Sequence, residues 1–362
     1  MTTYAKNHKD EIAIAISRGL KLDALVKKYG VSRSTINRIV KEVKAYGIIP
    51  KRGRPSQTRS IPDANIGNGS STPFPFPIYD PERFEKEINR LKNINIGLTS
   101  EKVITPWSHV GASACASFFP NRYNAIRKGS ISAFEAWTNE HYMRRAISFQ
   151  IKRGDPITPH RILRALTLIC RTPTIFKPSI AKFIYARYCS KVTWDPCAGY
   201  GGRLLGAFAA GVHYIGTDVE IATIEGNKKL AEVLGTNHEL IMSPAESFDP
   251  PKVDLVFTSP PYFDRECYSE NKNQSWKKHG QSLSAWIEGF LRPVIERARI
   301  ALSIDGFLAL NVANIKNNTV PIIDRTISVA IESGFRHIDT LRMPLAAINR
   351  AATPYEPILI FQ

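Results

Sequence analysis

No C-x-x-C pair occurs in this chain, and its five cysteines (Cys115, Cys170, Cys189, Cys197 and Cys267) are scattered. That spacing excludes a zinc ribbon and a disulfide framework, and it suits a reducing, cytoplasmic setting. The eight histidines form no H-x-x-x-H and no His/Cys cluster, so no metal is implied. No apolar run approaches the roughly 18 residues of a membrane-spanning helix. The start, Met1-Thr2-Thr3-Tyr4-Ala5-Lys6, has no apolar signal segment. A repeat at solenoid periods is missing too. What remains is a chain of 362 residues, 43% hydrophobic, long enough for one large domain and a small one.

Acidic charge is also short, above all at the N-terminus. Residues 1–60 hold 14 Lys and Arg against 4 Asp and Glu, an excess of ten within a net charge of +17. Such asymmetry points to a polyanion partner, most often nucleic acid.

Residues 1–50 show helical periodicity, with Leu22, Leu25 and Val26 on one apolar face. Tyr29-Gly30-Val31 makes a turn, and Ser32 is an N-cap for a second helix that buries Ile36, Ile39 and Val40. The pattern resembles the helix-turn-helix of transposase- and resolvase-type proteins. The matching recognition helix turns Arg33, Ser34, Asn37, Arg38 and Lys41 outward, toward base edges or phosphates. Residues 51–80 read as a basic, Pro-rich linker. Its Lys51-Arg52-Gly53-Arg54-Pro55 resembles an AT-hook core, with Arg52 and Arg54 suited to a narrow minor groove. Residues 81–170 read as a helical segment with a possible part in target recognition.

From about residue 190 the pattern alternates between strand and helix. Val192-Thr193-Trp194 is a short strand ending at Asp195, followed by a glycine-rich turn, a helix at Leu204–Ala210, and a second strand at Val212–Gly216 closing on Asp218. This is half of a doubly wound sheet. The dinucleotide fingerprint fails, because Leu204 stands where its third glycine belongs. Asp195, placed before Gly199 and Gly201, would repel a pyrophosphate and suits a cation with a free amino group. Asp218 is placed to hold ribose hydroxyls. S-adenosylmethionine (SAM), with a sulfonium, an ammonium and a ribose, fits that constellation.

Further on, Leu255-Val256-Phe257 runs like a buried strand into Ser259-Pro260-Pro261-Tyr262. Two prolines cannot continue a ladder, so the strand stops in a rigid, exposed turn at its carboxyl end. In open α/β sheets ligands bind at that edge. "DPCAGYGG" followed some 60 residues later by "TSPPY" resembles the amino-methyltransferases of DNA, the N4-cytosine and N6-adenine family.

The resemblance covers about residues 171–362 and implies a Rossmann-like SAM-dependent methyltransferase domain. The expected fold class is therefore α/β, with a helical segment before that domain and a small all-α domain at the N-terminus. Phe176 and Lys177-Pro178 are implied near the methionine end of SAM, Cys197 and Ala198 in the cofactor turn, and Glu246 near the adenine. Cys197 replaces the Phe usual in that family, which alters the packing beside the cofactor. Pro196-Cys197 also matches the nucleophile dipeptide of cytosine-C5 enzymes, but in the cofactor turn it is misplaced for that chemistry.

In the implied reaction Ser259 Oγ and the Pro260 carbonyl accept the hydrogens of an exocyclic amine, and Tyr262 stacks on a base flipped out of duplex DNA. Serine in the first position favours cytosine N4; a carboxylate more often goes with adenine N6. An N6-adenine enzyme, an RNA base methyltransferase and an inactive DNA-binding regulator stay open as readings. The oligomeric state is open as well.

Overall fold

The computed structural model describes residues 26–27, 32–34, 73–106, 108–189, 191–280, 282–315, 320–345 and 354–362. Two compact units emerge, one of residues 1–75 with 130–172 and one of residues 76–129 with 173–362. The stretch read as one helical segment, 81–170, is thus divided at Gly129.

In the first unit, three helices follow one another at Ala133–Thr138, Glu140–Arg153 and Pro159–Ile169. Each start is written locally. Ser132 and Glu135 form a reciprocal capping box, Asn139 caps the second helix, and Thr158 caps the third ahead of a proline in its first turn. Gly154, at φ 68°, closes the second helix in the left-handed conformation. Trp137, Ile147 and Leu166 are buried in this unit. Arg33 and Ser34 are exposed and in helical conformation. Asn37, Arg38, Lys41, Arg52 and Arg54 lie outside the described residues, as do the rest of the helix-turn-helix and the AT-hook-like segment.

The second unit is built on a seven-stranded sheet. Its strands are β1 (Val192–Asp195), β2 (His213–Asp218), β3 (Glu239–Met242), β4 (Val253–Thr258), β5 (Leu302–Asn311), β6 (His337–Pro344) and β7 (Tyr355–Phe361). The order across the sheet is β6-β7-β5-β4-β1-β2-β3. Strands β1 to β5 pair in parallel, while β7 runs antiparallel to both β5 and β6. The chain thus ends in an antiparallel pair, and β5 is the longest strand, from Leu302 to Asn311.

Helices cover both faces: α1 (Pro81–Asn93), α2 (Pro178–Tyr188), α3 (Gly202–Ala210) and α4 (Ile221–Val233) on one, α5 (Arg292–Ala301) and α6 (Ile322–Glu332) on the other. Strand alternation divides β4 between the two cores. Leu255 and Phe257 join the α2/α3 cluster, and Val256 joins the α5/α6 cluster. The chain proceeds from β1 outward to β3, then crosses back to place β4 on the other side of β1. That reversal opens a crevice beyond the carboxyl ends of β1 and β4.

Candidate active site

The crevice holds a cavity of about 370 Å³ formed wholly within the second unit. Its volume is in the range of a small-ligand site. Two loops at the strand ends form the centre of its wall. The first, Pro196–Tyr200, leaves β1 and turns into α3; the second, Ser259–Tyr262, leaves β4.

Backbone geometry explains the glycines of the first loop. Gly201 has φ 74°, and a Cβ there would meet Leu230 and the Phe119 ring at 2.8 Å. At Gly202 a Cβ would stand 2.0 Å from the Phe176 carbonyl oxygen. The loop therefore lies directly on the segment before α2, and only glycine allows that approach. Asp218, ending β2, holds the other side. Its carboxylate accepts from the Gly199 and Glu220 backbone N–H groups, both at 3.0 Å. Burial pushes the Asp218 carboxyl up to about 6, against the pull of those two N–H groups.

Asp195 behaves differently from the sequence expectation. Its side chain is fully buried, 2.6 Å from Arg203 Nε and 2.6 Å from the Tyr214 hydroxyl. Those partners occupy the carboxylate, and Asp195 does not line the cavity. It anchors the loop through Arg203, which also donates to the Cys197 carbonyl. Gly201 is likewise turned to the protein interior. Pro178, buried in the first turn of α2, serves the helix start, while its neighbour Lys177 reaches the cavity.

The remaining sequence candidates meet at the cavity: Phe176, Cys197, Ala198, Gly199, Asp218, Glu246, Ser259, Pro260, Pro261 and Tyr262. Burial pushes the Cys197 thiol up, which keeps it un-ionised and unsuited to nucleophilic attack. Glu246 is paired with Lys278 at 2.8 Å and faces His279 Nε2 at 3.2 Å.

Around Ser259 the structure assembles groups that the sequence reading did not single out. Ser259 Oγ is 3.1 Å from Asn311 Oδ1 at the end of β5, and 3.3 Å from the Tyr262 hydroxyl. That hydroxyl donates to Glu356 Oε1 of β7 at 3.2 Å. Asn311 Nδ2 in turn donates to the Pro357 carbonyl at 3.0 Å, which aims Oδ1 at the turn. The Arg265 guanidinium stands 5.3 Å from the centre of the Tyr262 ring, so this tyrosine is held at both its ring and its hydroxyl. The one available signal was a polar residue ending or opening an apolar strand, as Asn311 and Glu356 do.

Burial pushes Lys177 down to about 8, with Glu356 acting the other way. Beside Asp218, the carboxylates of Glu220, Glu246, Glu266 and Glu356 face the cavity, against the cations Lys177, Arg203 and Arg265. Asp195 neutralises Arg203 and Lys278 pairs with Glu246, which leaves Asp218, Glu220, Glu266 and Glu356 against Lys177 and Arg265, so the lining favours a cationic ligand.

The segment that follows the Ser259–Tyr262 turn is tied to the rest of the unit. Glu266-Cys267 pairs antiparallel with Ile126-Arg127, and Lys128 forms an ion pair with Asp264. Glu266 and Tyr268 line the cavity, whereas Lys277 and Lys278 point to Glu270 and Glu246. Among the described residues, no group of three or more His, Cys, Asp and Glu could hold a metal ion. No helix among them is long and apolar enough to cross a membrane.

Neither a protein-family model nor a curated protein matches the sequence. Solved structures are similar in fold over about half of the chain. A methyltransferase from Pyrococcus furiosus is 17% identical with a TM-score of 0.38, covering 51% of this chain and 82% of that one. A magnesium protoporphyrin IX methyltransferase from Synechocystis PCC 6803 with bound SAM is 16% identical, TM-score 0.34, over 51% of this chain and 76% of its own. A glycopeptide N-methyltransferase complexed with sinefungin is 13% identical, TM-score 0.37, over 51% and 85%. Likeness of this degree says nothing about substrate.

Proposed function

We propose that the second unit binds SAM and transfers its methyl group to the exocyclic amine of a base in duplex DNA, cytosine N4 before adenine N6. One observation carries the reading. The Pro196–Tyr200 turn, Asp218 and the Ser259-Pro260-Pro261-Tyr262 turn line a single, net acidic cavity at the reversal of the strand order.

The ligand end of this cavity suits SAM. Asp218 would hold the ribose hydroxyls, the Gly199 turn would let the nucleoside approach the backbone, and the surplus of carboxylates would favour the sulfonium and ammonium. Lys177, at the Phe176 end, donates to the Pro344 carbonyl and would offer its remaining hydrogens to the methionine carboxylate. The reacting end suits an amine. An amine conjugated to a base ring is a poor nucleophile, and acceptors aimed at its hydrogens help its nitrogen become tetrahedral. Ser259 Oγ and the Pro260 carbonyl are such acceptors, since proline leaves no competing N–H in the turn.

The basic N-terminal 60 residues favour DNA as the source of the base. Serine at the head of the turn favours cytosine. Adenine N6 is the second reading, favoured by Glu356, whose carboxylate reaches the same turn. Nucleoside mass spectrometry of duplex DNA incubated with the protein and SAM tests both. N4-methylcytosine is expected, and N6-methyladenine would install the second reading. No methylated deoxynucleoside from a protein that binds SAM would overturn the DNA assignment.

A further inference from the structure

Resting on the methyl-transfer reading, we infer that Ser259, Tyr262 and Glu356 form a proton relay that carries the amine's proton from the reacting centre to the Glu356 carboxylate. Methyl transfer to an uncharged amine creates the need for one. The nitrogen lone pair forms the new N–C bond, and the C–S electron pair leaves on sulfur. The positive charge passes from sulfur to nitrogen, and one N–H proton must depart to restore a neutral base. The Ser-Pro-Pro-Tyr turn contains no carboxylate to receive it.

The fold supplies the missing carboxylate from a distant strand. Glu356 stands 94 residues after Tyr262 in sequence, yet its Oε1 accepts the tyrosine hydroxyl at 3.2 Å. Ser259 Oγ lies 3.3 Å from that same hydroxyl. In the relay the nitrogen gives its proton to Ser259 Oγ, the serine hydrogen moves to the tyrosine oxygen, and the phenolic hydrogen moves to Glu356. The serine and tyrosine are each left neutral, and Glu356 ends protonated. Asn311 Oδ1 accepts from both hydroxyls, 3.1 Å from Ser259 Oγ and 3.3 Å from Tyr262, and keeps the two oxygens side by side; each hydrogen turns away from it to enter the relay. Lys177 and Arg265 favour the ionised Glu356, Glu266 opposes it, and Tyr262 donates to it; burial, the largest influence, raises its carboxyl. Burial also keeps the Tyr262 phenol protonated, so it passes hydrogens without becoming a base itself.

The test is single-turnover methylation of duplex DNA by the full chain across the acidic pH range, with SAM saturating at every pH so that weaker binding through Asp218 does not shape the profile. The wild-type rate rises with pH as Glu356 ionises. Glu356→Gln should lower that rate by about 10²-fold and flatten the acid limb. The KM for SAM and the melting temperature should hold. Tyr262→Phe, which keeps the ring, should lose as much, and the double variant no more than either alone. Glu356→Asp should retain the acid limb. A wild-type rate or an intact limb in Glu356→Gln overturns the relay while leaving methyl transfer standing. Failure of the wild type to methylate any DNA overturns the underlying reading and the relay with it.

Discussion

Arg203 Nε lies 2.6 Å from Asp195 Oδ2, with both side chains at most 5% exposed, so the acid of the cofactor turn is spent on the protein's own first helix turn. A buried pair of this kind is weak evidence for net stabilisation, but removing one member leaves an unpaired charge. Here the pair also ties β1 to α3 and shapes the loop between them through the Cys197 carbonyl.

Arg203→Ala should therefore destabilise the fold by about 3–5 kcal/mol, measured by denaturant unfolding. Asp195→Asn should do the same in kind, and weaken SAM only through the loop. A stable Asp195→Asn protein with abolished SAM binding would show instead that this carboxylate touches the ligand.

Asp218 gives SAM binding a pH dependence. Its carboxyl, lifted to about 6 by burial, is ionised above that pH and can then accept ribose hydroxyls. SAM affinity by calorimetry should fall as pH drops through about 6, and Asp218→Asn should bind weakly with a flat profile. The linkage to folding has the opposite sense. An acid with a raised folded value binds more protons when folded, so this group's contribution to stability falls between about 4 and 6 as pH rises.

Gly202→Ala should cost about 1–3 kcal/mol or more, because its Cβ would stand 2.0 Å from the Phe176 carbonyl oxygen. Backbone cannot step aside as a flexible side chain can. Thermal melting checks it, and a wild-type melting temperature would mean that the loop and the 176 segment are not in contact.

Ser259→Ala should remove most methyl transfer while SAM still binds, since Ser259 Oγ faces the reacting end and the cofactor turn lies on the other loop. Full turnover in this variant would sink its role as an acceptor for the amine.

Deleting residues 1–56 should weaken DNA binding and flatten its dependence on salt, because fewer phosphate counterions would be released. Fluorescence titrations at several salt concentrations would show it. An unchanged slope would mean that the basic segment does not meet DNA.

Much of this molecule was legible in local patterns. Trp194 and Leu255 sit in short apolar runs whose glycine or proline stops mark buried strands, and these are the central strands β1 and β4. The cap residues Ser132, Asn139 and Thr158 announce their helices within three or four positions. The turn at Ser259 and the acid at Asp218, both singled out at strand ends, line the cavity. Tertiary structure decided the rest. Whether Asp195 faced a ligand or Arg203 depended on the pitch of α3, which sequence spacing leaves free. That Asn311 joins Ser259 across 52 residues, and Glu356 joins Tyr262 across 94, depended on β7 inserting antiparallel beside β5, and only the assembled sheet brings those strand ends together.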